Sequence, residues 1–517
     1  MTGIRTVGVV GCGTMGSGIA AAVAAAGHAV RVRVLDEAHA QEGRERLATL
    51  LTADDAALAR IAVETEPASL AGADLVIEAV PEDPETKRGV FAELGRVCRD
   101  DAILATNTSS LSVIALASAA GGPERVVGLH FFNPVTRMRL VELAETVATA
   151  PEVRERARSF AEGLGKTVIV CRDRAGFVAN VLLFPYLNEA VRLLDAGYAT
   201  REAIDAAMKL GAGHPMGPLE LADLIGLDAV MHVMEALHEE FGDRRYAPAP
   251  AFRELVAAGF TGRKAGRGFY TYAGPNAREM VEDGRSGPTA DLPEPGRDIA
   301  RIGVVGTGIV GAGVVEVAAR AGLDVVAWGR SGASIGRGRS ALERSTGKAA
   351  ERGKLSGEDR DAILERVAWS TDLVDLGGAD LIVEAVAEDL DLKKRIFADL
   401  GKLAKQDAIL STATSSLPVV DLGAAAGRLE DVLGLHFFNP VPRMRLVEVV
   451  RTVGTSAHTL ADAVATVERM GKAWVLCGDR AGFIVNRLLF PYLNDAVRMY
   501  EEGYASAEDI DTAMTLG

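Results

Sequence analysis

Arg5-Thr-Val-Gly-Val-Val-Gly-Cys-Gly-Thr-Met-Gly16 is the stretch that decides the fold of this chain. A β-rich run leads into three glycines, Gly11, Gly13 and Gly16, at the spacing GxGxxG, and an Ala-rich helical segment follows. A strand, a tight turn and a helix in this order predict a parallel α/β sheet that binds a dinucleotide. Glycines alone often mark turns without any ligand, so the flanking strand and helix carry the dinucleotide interpretation.

The three glycines have separate roles in this interpretation. Gly11 permits the turn, Gly13 lets the backbone approach a pyrophosphate, and Gly16 allows the helix to pack closely on the strand. The free N–H groups at the helix N-terminus then bind phosphate. Asp36 lies 20 residues beyond Gly16, after a second β-like run. Its carboxylate can accept hydrogen bonds from both ribose hydroxyls, which favours NAD over a cofactor with a 2′-phosphate.

A second informative stretch, His130-Phe-Phe-Asn-Pro134, recurs as His436-Phe-Phe-Asn-Pro440. Polar residues recur 21 residues before the histidine and 12 and 50 residues after it: Ser109, Glu142 and Asn180 in the first instance, Ser415, Glu448 and Asn486 in the second. Packing alone does not hold a polar set in register over such a span. The chain therefore contains an internal duplication of a whole unit.

The offset between the two units locates their difference in length. Gly11 matches Gly306 (306 − 11 = 295), whereas Glu78 matches Glu384 (384 − 78 = 306), so the second unit carries 11 extra residues between these points. From residue 74 to residue 211 the pairing continues without a gap to residue 517. We refer to residues 1–273 as copy one and to residues 299–517 as copy two.

Length and composition limit the classes of protein that this chain can belong to. A chain of 517 residues is too long for one core and predicts three or four domains. The net charge of −15 argues against nucleic acid and anionic membranes as partners. No apolar stretch approaches the roughly 20 residues that a membrane span needs, so we expect a cytoplasmic protein. The four cysteines have neither paired nor metal-like spacing, so we expect reduced thiols and no metal site.

Strand-like runs alternate with helical patterns up to about residue 175, and the pattern then turns mostly helical at 181–194, 201–209, 219–225 and 229–241. Because copy two reaches only the counterpart of residue 211, we expect its helical domain to be incomplete and to expose apolar faces. The predicted domains are a Rossmann domain at 1–174, a helical domain at 175–273, a Gly- and Pro-rich linker at 274–298, a second Rossmann domain at 299–480 and a partial helical domain at 481–517.

His130 and Glu142 form the candidate catalytic pair. A lone histidine is more often structural, but a neighbouring carboxylate stabilises imidazolium and makes neutral imidazole a better base. Such a pair can remove a hydroxyl proton as hydride leaves the same carbon. Ser109 and Asn180 would then hydrogen-bond the reacting oxygen, where the charge changes most. The same roles fall to His436, Glu448, Ser415 and Asn486 in copy two.

Copy two has its own dinucleotide glycines, Gly306, Gly308 and Gly311, but its second strand ends at Trp328-Gly-Arg330-Ser331 without an acid. Arg330 and the following serine could accommodate a 2′-phosphate, which would make copy two an NADP site. The alternative is an exposed arginine in a site that has lost its cofactor preference.

With these residues identified, both copies resemble the L-3-hydroxyacyl-CoA dehydrogenase family over nearly the whole chain. The supporting strings are Gly11-Cys-Gly-Thr-Met-Gly16, Thr106-Asn-Thr-Ser-Ser-Leu111, His130-Phe-Phe-Asn-Pro134, residues 173–180 and Gly211-Ala-Gly-His-Pro-Met-Gly-Pro218. The resemblance implies an α/β plus all-α architecture. Each Rossmann domain would be followed by a helical domain, similar to the C-terminal domain of 6-phosphogluconate dehydrogenase, that also dimerises.

The resemblance also implies that His130 is the general base with Glu142 as its partner, and that Ser109 and Asn180 bind the substrate oxygen or thioester region. It places further residues around the cofactor and the substrate: Thr14, Met15, Glu82, Lys87, Asn107 and Asn133 in copy one, and Ile309, Val310, Glu388, Lys393 and Asn439 in copy two. Two of these have plain structural alternatives. Lys87 could be a solvated helix charge, and Asn133 could belong to a turn before Pro134.

The chain departs from the family pattern in three places. Copy one is short between Asp36 and Asp74, where the family projects a helical hairpin that helps to bind CoA. Copy two keeps a full-length, basic version of this segment, the best local candidate for binding an anionic carrier; its basic residues are Arg337, Arg339, Arg344, Lys348, Arg352 and Lys354. Copy two also has Ala413 in place of Asn107 and Val310 in place of Met15.

The leading hypothesis is NAD-dependent, reversible oxidation of an L-3-hydroxyacyl-CoA, such as 3-hydroxybutyryl-CoA, in fatty-acid or related acyl-CoA metabolism. The retained polar set of copy two favours activity in both copies. A second hypothesis is a dehydrogenase of a non-thioester 3-hydroxy acid, similar to L-gulonate dehydrogenase. A third is that copy two is a non-catalytic pseudo-subunit. The expected assembly is a homodimer or an intramolecular pseudo-dimer.

Overall fold

The structure, a computed structural model, describes residues 3–284 and 292–517. Copy one begins with a sheet formed by β1 (Thr6–Val10), β2 (Ala29–Arg33), β3 (Ile61–Glu64), β4 (Leu75–Glu78), β5 (Ile103–Thr106), β6 (Val126–Phe131), β7 (Leu140–Glu145) and β8 (Thr167–Arg172). Its helices are α1 (Thr14–Ala25), α2 (Glu37–Leu50), α3 (Asp55–Leu58), α4 (Pro84–Val97), α5 (Val113–Ala119), α6 (Pro151–Gly163), α7 (Ala179–Asp195), α8 (Arg201–Gly211), α9 (Pro218–Ile225), α10 (Leu227–Phe241) and α11 (Pro250–Ala257). Two short strands follow, β9 (Thr271–Tyr272) and β10 (Met280–Val281).

Copy two repeats this order as far as the second helix of the helical domain. Its strands are β11 (Arg301–Val305), β12 (Asp324–Trp328), β13 (Val367–Ser370), β14 (Leu381–Glu384), β15 (Ile409–Thr412), β16 (Val432–Phe437), β17 (Leu446–Arg451) and β18 (Ala473–Gly478). Its helices are α12 (Ile309–Arg320), α13 (Gly332–Glu351), α14 (Gly357–Glu365), α15 (Leu390–Leu403), α16 (Val419–Ala426), α17 (Ala457–Arg469), α18 (Val485–Glu501) and α19 (Ala507–Leu516).

The two large sheets have the same topology. The strand order is β3-β2-β1-β4-β5-β6-β7-β8 in copy one and β13-β12-β11-β14-β15-β16-β17-β18 in copy two. All neighbouring strands are parallel except β6 with β7 and β16 with β17, which are antiparallel. The fold predicted from the sequence, two Rossmann domains with helical domains, the second of which ends earlier, is confirmed.

The apolar runs of the sequence become the interior of these sheets. Val7 and Val9 on β1 are fully buried, as are Ile19 and Val23 on α1, and all four belong to one core. The strand side chains are buried on both faces because helices cover both sides of a parallel sheet. The first glycine loop therefore lies at the carboxyl edge of β1, where open α/β sheets bind ligands.

The 11 extra residues of copy two are helical. Helix α13 has 20 residues where α2 has 14, and α14 has 9 residues where α3 has 4, so the two helices are six and five residues longer. The six basic residues of the α13 segment are all exposed. Copy one therefore keeps only a short version of the hairpin that copy two projects in full.

The chain divides into two compact units, and each unit combines segments of both copies. Unit 1 consists of the residues up to Pro185, Ala229–Pro248 and Tyr492–Gly517. Unit 2 consists of Tyr186–Asp228 and Ala249–Pro491. The sheet of copy one thus shares a unit with α19 of copy two, and the sheet of copy two shares a unit with α8 of copy one. The domain limits derived from the sequence, which follow the order of the chain, remain predictions.

The segment predicted as a linker, 274–298, lies partly outside the described residues, at 285–291. Before that gap, β10 pairs with β9, and the Asp283 carboxylate accepts a 2.7 Å hydrogen bond from Arg201. After the gap, the amide of Gly296 donates a 2.7 Å hydrogen bond to Asp462. Both ends of the segment are therefore attached to unit 2.

Three further observations concern residues 3–284 and 292–517. None of the helices there combines the length and the apolar character that a bilayer-spanning segment requires. Those residues also hold no group of His, Cys, Asp and Glu side chains arranged to bind a metal ion. The thiols of Cys12, Cys98, Cys171 and Cys477 are buried and free.

Candidate active sites

The predicted histidine–carboxylate pair forms in both copies. His130 on β6 lies directly opposite Glu142 on β7, and the distance from His130 Nδ1 to Glu142 Oε2 is 2.7 Å. His436 and Glu448 occupy the same positions on β16 and β17, with a distance of 2.6 Å. Both carboxylates are fully buried, and the imidazoles are almost so. Antiparallel pairing of neighbouring strands thus sets the geometry of the pair.

The second oxygen of each carboxylate is held by backbone amides. Glu142 Oε1 accepts hydrogen bonds of 3.1 Å from the Val178 amide and 2.8 Å from the Ala179 amide, at the start of α7. Phe177, just before them, has a positive φ of 47°, a conformation that non-glycine residues rarely adopt. In copy two, Glu448 Oε1 binds the corresponding amides at 3.0 and 2.9 Å. The helix N-terminus stabilises the buried negative charge.

This arrangement prepares the imidazole to act as a base. A carboxylate accepts the proton on Nδ1, which leaves Nε2 with its lone pair free for a substrate hydroxyl. The rings of Phe132 and Phe177 lie 4.5 and 5.7 Å from the His130 ring, between centroids, and limit the access of water. Copy two has Phe438 and Phe483 at 4.6 and 5.4 Å from His436.

Glu82 fixes the loop that carries Ser109. Its Oε1 accepts hydrogen bonds of 2.5 Å from the Thr108 hydroxyl, 2.9 Å from the Ser109 amide and 3.1 Å from the Ser110 amide. Burial opposes ionisation of Glu82, but the Lys87 ammonium and these donors together hold the pKa of its carboxyl below the ordinary value. Glu82 is therefore an ionised anchor for this loop.

Lys87 lies at the centre of a buried ion cluster. Its Nζ is 2.7 Å from Glu78 Oε1 and 3.2 Å from Glu82 Oε2, and its side chain is only 1% exposed. The alternative interpretation of Lys87 as a solvated helix charge is wrong, because α4 turns this side chain into the protein. In copy two, Lys393 makes the same contacts to Glu384 and Glu388, at 2.8 and 3.4 Å. The contacts of Lys87 and Lys393 with the cofactor remain predictions.

Two asparagines connect the loops around His130. The side-chain amide of Asn180 donates a 3.4 Å hydrogen bond to the Ser109 carbonyl, which joins the start of α7 to the serine loop. Asn107 Oδ1 accepts a 2.8 Å hydrogen bond from the Phe131 amide, next to His130. Ala413 replaces Asn107 in copy two and has no side-chain oxygen to offer. The two sites therefore differ in how the strand beside the catalytic histidine is held.

Both glycine loops have the shape that a dinucleotide requires. Gly11 has a φ of +96°, and a Cβ on Gly16 would lie 2.1 Å from the Gly11 carbonyl oxygen, so neither position accepts a side chain. A Cβ on Gly13, in contrast, would have no neighbour closer than 4.0 Å. The open space at Gly13 allows a pyrophosphate to approach the backbone. In copy two, Gly306 (φ +108°) and Gly311 are equally restricted, and nothing lies within 4 Å of a Cβ on Gly308.

The residues that follow the second strand differ between the copies. Asp36 is exposed and caps α2, because its Oδ1 accepts a 3.0 Å hydrogen bond from the His39 amide. This bond and the His39 ring lower the pKa of the Asp36 carboxyl, so it is ionised at neutral pH. Ser331 caps α13 in the same way, and Arg330 beside it is exposed. The predicted contacts of Asp36 and Arg330 with ribose or phosphate are untested.

The remaining predicted cofactor residues fall into two groups. Thr14, Asn133, Ile309 and Asn439 are exposed, and the first two line a cavity of about 650 Å³ between α1, α2 and the segment after Phe132. Asn133 precedes a cis peptide bond to Pro134. Met15 and Val310 instead pack against the cores of their sheets. These two side chains stabilise the start of the glycine helix.

The structural roles of two residues, Glu78 and Lys166, were not predicted from the sequence. Glu78 was used only to align the copies, yet it binds Lys87 and accepts a 2.8 Å hydrogen bond from the Thr106 hydroxyl. Lys166 donates hydrogen bonds of 2.5 and 2.7 Å to the carbonyls of Val135 and Met138, and so holds the segment after Pro134. Lys472 repeats this in copy two. Glu78 and Lys166 both recur in register in copy two, and this recurrence was the sequence signal that could have indicated their roles.

Two models of one protein family each match the chain in two places. The model described as 3-hydroxyacyl-CoA dehydrogenase, NAD binding domain, matches residues 6–174 and 301–480. The model described as 3-hydroxyacyl-CoA dehydrogenase, C-terminal domain, matches residues 176–272 and 482–517. Together they cover most of both copies.

Individual relatives agree with these matches. A 3-hydroxybutyryl-CoA dehydrogenase of Mycobacterium tuberculosis is 46% identical over 282 residues, which cover 52% of this chain and 99% of the relative. The human mitochondrial hydroxyacyl-coenzyme A dehydrogenase is 39% identical over 287 residues, covering 52% of this chain and 91% of its own. The crystal structure of a 3-hydroxybutyryl-CoA dehydrogenase from Escherichia coli K12 superimposes with a TM-score of 0.69 at 28% identity, over 99% of this chain and 89% of that one. Similarity to that structure thus extends over both copies.

Proposed function

Because the chain belongs to the 3-hydroxyacyl-CoA dehydrogenase family, we propose that both of its copies catalyse the reversible oxidation of an L-3-hydroxyacyl-CoA to the 3-oxoacyl-CoA. The chain is an NAD-dependent oxidoreductase with two NAD-binding domains. The single observation that carries the proposal is the buried imidazole–carboxylate pair, formed by His130 with Glu142 and repeated by His436 with Glu448.

In the direction of oxidation, His130 Nε2 takes the proton of the substrate hydroxyl while the hydride leaves the same carbon. A bound NAD would supply the acceptor for this hydride. The imidazolium that results is stabilised by Glu142, whose own charge is balanced by the amides at the start of α7. In the reverse direction the imidazolium returns the proton to the oxygen as the carbonyl is reduced.

Ser109 and Asn180 are proposed to bind the reacting oxygen or the thioester. Support comes from their linkage: Asn180 donates to the Ser109 carbonyl, and its neighbour Ala179 holds Glu142. One connected set of hydrogen bonds therefore orients the serine, the asparagine and the catalytic pair. Preorganised donors of this kind stabilise developing negative charge without further rearrangement.

For copy two we propose the same chemistry, carried by His436, Glu448, Ser415 and Asn486. The intact pair and the open glycine loop support an active site rather than a non-catalytic pseudo-subunit. Its choice between NAD and NADP depends on Arg330 and Ser331, which stand where copy one has an acid. An exposed guanidinium suits a 2′-phosphate, so we propose that copy two tolerates NADP better than copy one does.

The proposed carrier of the acyl group is CoA. The six exposed basic residues of the α13 segment support this for copy two, since they offer a cationic surface to an anionic carrier in a chain of net charge −15. Copy one has only the short hairpin, which favours the second candidate function, oxidation of a free 3-hydroxy acid, at that site. We further propose a cytoplasmic enzyme of fatty-acid or related acyl-CoA metabolism, in line with its buried, unpaired thiols.

We also propose that the chain is an intramolecular pseudo-dimer. What supports this is the composition of the two compact units, each of which pairs the sheet of one copy with helices of the other. Two separate copies would need to associate in order to make the same contacts.

The decisive experiment measures reduction of acetoacetyl-CoA with NADH and with NADPH by four proteins: the unaltered chain, His130→Gln, His436→Gln and the double variant. We expect each single variant to keep part of the activity and the double variant to lose it while still binding NADH. Undiminished turnover by the double variant would reject the proposal. Turnover of 3-hydroxybutyrate by His436→Gln at the same efficiency as its CoA ester would favour the free acid for copy one.

A further inference from the structure

The last helix of copy two lies against the catalytic sheet of copy one. Within unit 1, the Arg172 amide at the end of β8 donates a 3.2 Å hydrogen bond to the Tyr504 carbonyl, and Cys171 forms an antiparallel bridge with Ala505. The Arg174 guanidinium lies 5.3 Å from the centroid of the Tyr504 ring and 2.7 Å from the Glu502 carboxylate. Backbone pairing, a cation–π contact and an ion pair therefore join residues of the two copies.

Tyr504 is buried in the core on the face of β7 to which Glu142 belongs. Its side chain belongs to the core that contains Leu140 and Ala144 of β7, the strand that carries Glu142. Burial, with the nearby Cys171 and Glu142, raises the pKa of the Tyr504 phenol well above its ordinary value. A neutral aromatic ring thus forms part of the apolar environment of the Glu142 carboxylate.

The end of α19 also reaches the backbone that holds Glu142. A Cβ built on Gly517 would lie 2.8 Å from Leu140 Cδ2 and 3.5 Å from the Cβ of Ala179. Ala179 is the residue whose amide donates to Glu142. Helix α19 therefore packs against both β7 and the start of α7, the two elements that position the carboxylate.

Unit 2 contains a corresponding tyrosine contact with the copies exchanged. Tyr198 precedes α8 of copy one, and its hydroxyl donates a 2.7 Å hydrogen bond to the Gly478 carbonyl at the end of β18. The Arg480 guanidinium lies 5.4 Å from the Tyr198 ring centroid. Burial and the nearby Cys477 and Glu448 raise the pKa of Tyr198.

Gly211 of copy one makes the contacts in unit 2 that Gly517 of copy two makes in unit 1. A Cβ on Gly211 would lie 2.8 Å from Val485 Cγ2 and 2.9 Å from Leu446 Cδ2. Val485 supplies an amide to Glu448, as Ala179 does to Glu142. Because the contacts of Gly211 and Gly517 correspond residue by residue at an offset of 306 (517 − 211 = 306), the exchange is reciprocal.

We propose that each copy supplies the positioning residue for the catalytic pair of the other: Tyr504 of copy two positions Glu142 and His130, and Tyr198 of copy one positions Glu448 and His436. The inference rests on the proposed function. Each tyrosine closes the apolar space behind its carboxylate, so that the carboxylate keeps one orientation and remains free of water. A desolvated, fixed carboxylate orients the imidazole better than a hydrated, mobile one.

The test uses variants in which only one of the two active sites is functional. In the His436→Gln background only copy one turns over, and we expect Tyr504→Ala to lower its kcat by about 10-fold to 100-fold, as a small misplacement of catalytic groups does. Tyr198→Ala should leave that kcat unchanged. In the His130→Gln background the two tyrosines should exchange their effects. Each tyrosine variant is thus the matched control for the other.

Further measurements separate positioning from a general loss of structure. The KM for NADH should stay constant, because the glycine loop follows β1, five strands away from β8 in the order of the sheet. Tyr504→Phe should restore kcat, since the ring fills the space. Equal losses at both sites, or no loss at either, would overturn the inference.

A spectroscopic readout keeps the inference testable even if acetoacetyl-CoA is not the substrate. The Nδ1–H protons of His130 and His436, in short bonds to buried carboxylates, should give two downfield proton resonances, assigned with the two His→Gln variants. Tyr504→Ala should shift or broaden the His130 resonance alone, and Tyr198→Ala the His436 resonance alone. Turnover absent from every chain, with these selective shifts present, would reject the proposed function and support the inference.

Discussion

The hydroxyl of Tyr198 donates a hydrogen bond to the carbonyl oxygen of Gly478, 2.7 Å away. Tyr504 is the counterpart of Tyr198 in copy two, but its hydroxyl is buried without a hydrogen-bond partner among residues 3–284 and 292–517. Tyr198 thus has a hydrogen bond that its counterpart Tyr504 lacks. Arg172 stands in copy one where copy two has Gly478, so the strand ends that the two tyrosines meet have different shapes.

This difference predicts opposite responses to the same substitution. Tyr198→Phe removes a partly buried hydrogen bond, while the Gly478 carbonyl keeps its 3.2 Å bond from the Arg480 amide, so we expect the free energy of unfolding to fall by about 1 kcal/mol. Tyr504→Phe removes a buried hydroxyl that has no partner, so stability should stay equal or rise. Urea unfolding of the two variants, followed by tryptophan fluorescence, measures the contrast. Equal losses would contradict the structural difference.

Replacing a catalytic carboxylate by its amide should reverse the roles of the two imidazole nitrogens. In Glu142→Gln the amide oxygen can keep the bonds from the Val178 and Ala179 amides, and its NH2 group then donates to His130 Nδ1. The ring must carry its proton on Nε2 and cannot accept one from the substrate. We expect kcat in the His436→Gln background to fall by roughly 10²–10⁴-fold, with the KM for NADH unchanged.

The control for this prediction is Glu145→Gln, on the same strand but in a surface pair with Arg154. It should leave kcat unaltered. Retention of full activity by Glu142→Gln would show that the carboxylate does not determine the tautomer.

The buried ion cluster predicts a strong effect of removing its cation. In Lys87→Met, the fully buried Glu78 loses its partner, and the expected cost is about 3–5 kcal/mol of unfolding free energy. Combining Lys87→Met with Glu78→Gln should recover a large part of the loss, since no unpaired charge remains. Arg88→Met, at the next residue, removes an exposed pair with Glu85 and should cost less than about 1 kcal/mol. Denaturant unfolding of the unaltered chain, Lys87→Met, Glu78→Gln and their double variant completes a double-mutant cycle, and Arg88→Met is the surface control.

Asp205 predicts a specific pH dependence. Burial raises the pKa of its carboxyl from 3.8 to about 6, although the Leu219 and Glu220 amides and the Tyr270 hydroxyl partly oppose the shift. Between about pH 4 and pH 6 the unfolded chain has lost this proton while the folded chain still holds it. The contribution of Asp205 to stability is therefore full below pH 4 and is lost as the pH rises to 6, by roughly 3 kcal/mol.

The measurement is the difference in unfolding free energy between the unaltered chain and Asp205→Asn, taken at several pH values across that window. This difference should change with pH, and Asp511→Asn, at the exposed counterpart in copy two, is the matched surface control. A constant difference for Asp205→Asn would contradict the prediction.

Local patterns in the sequence were enough to place most elements. The β-rich run before the first glycine loop is β1, the helix predicted at 219–225 is α9 with one further residue at its start, and the helix predicted at 229–241 is α10 with two further residues at its start. Buried apolar runs bounded by turn residues have one good interpretation in an α/β protein. The repeat also made it possible to predict the pairing of His130 with Glu142, because both residues recur at the same spacing in copy two.

The features that the sequence could not reveal depend on distant contacts. Lys87 shares the buried face of α4 with Val90 and Leu94, but the periodicity of α4 does not indicate the Glu78 carboxylate that meets it at the end of β4. Glu82 was expected at the cofactor, yet its partners besides Lys87 are donors of a loop 26 to 28 residues further on. The exchange between copies joins Arg172 to Tyr504, 332 residues apart (504 − 172 = 332), and local propensities carry no information at that range.

The reciprocal packing also has a consequence for biosynthesis. Strand β8, at one edge of the first sheet, leaves the ribosome long before α19, the helix that covers it, has been translated. At roughly 5–20 residues per second, about 330 intervening residues take some 15–65 seconds to add. During that interval α19 does not yet cover the apolar surface around Ile169 and Cys171, and this uncovered strand edge is a place where a chaperone can protect the nascent chain.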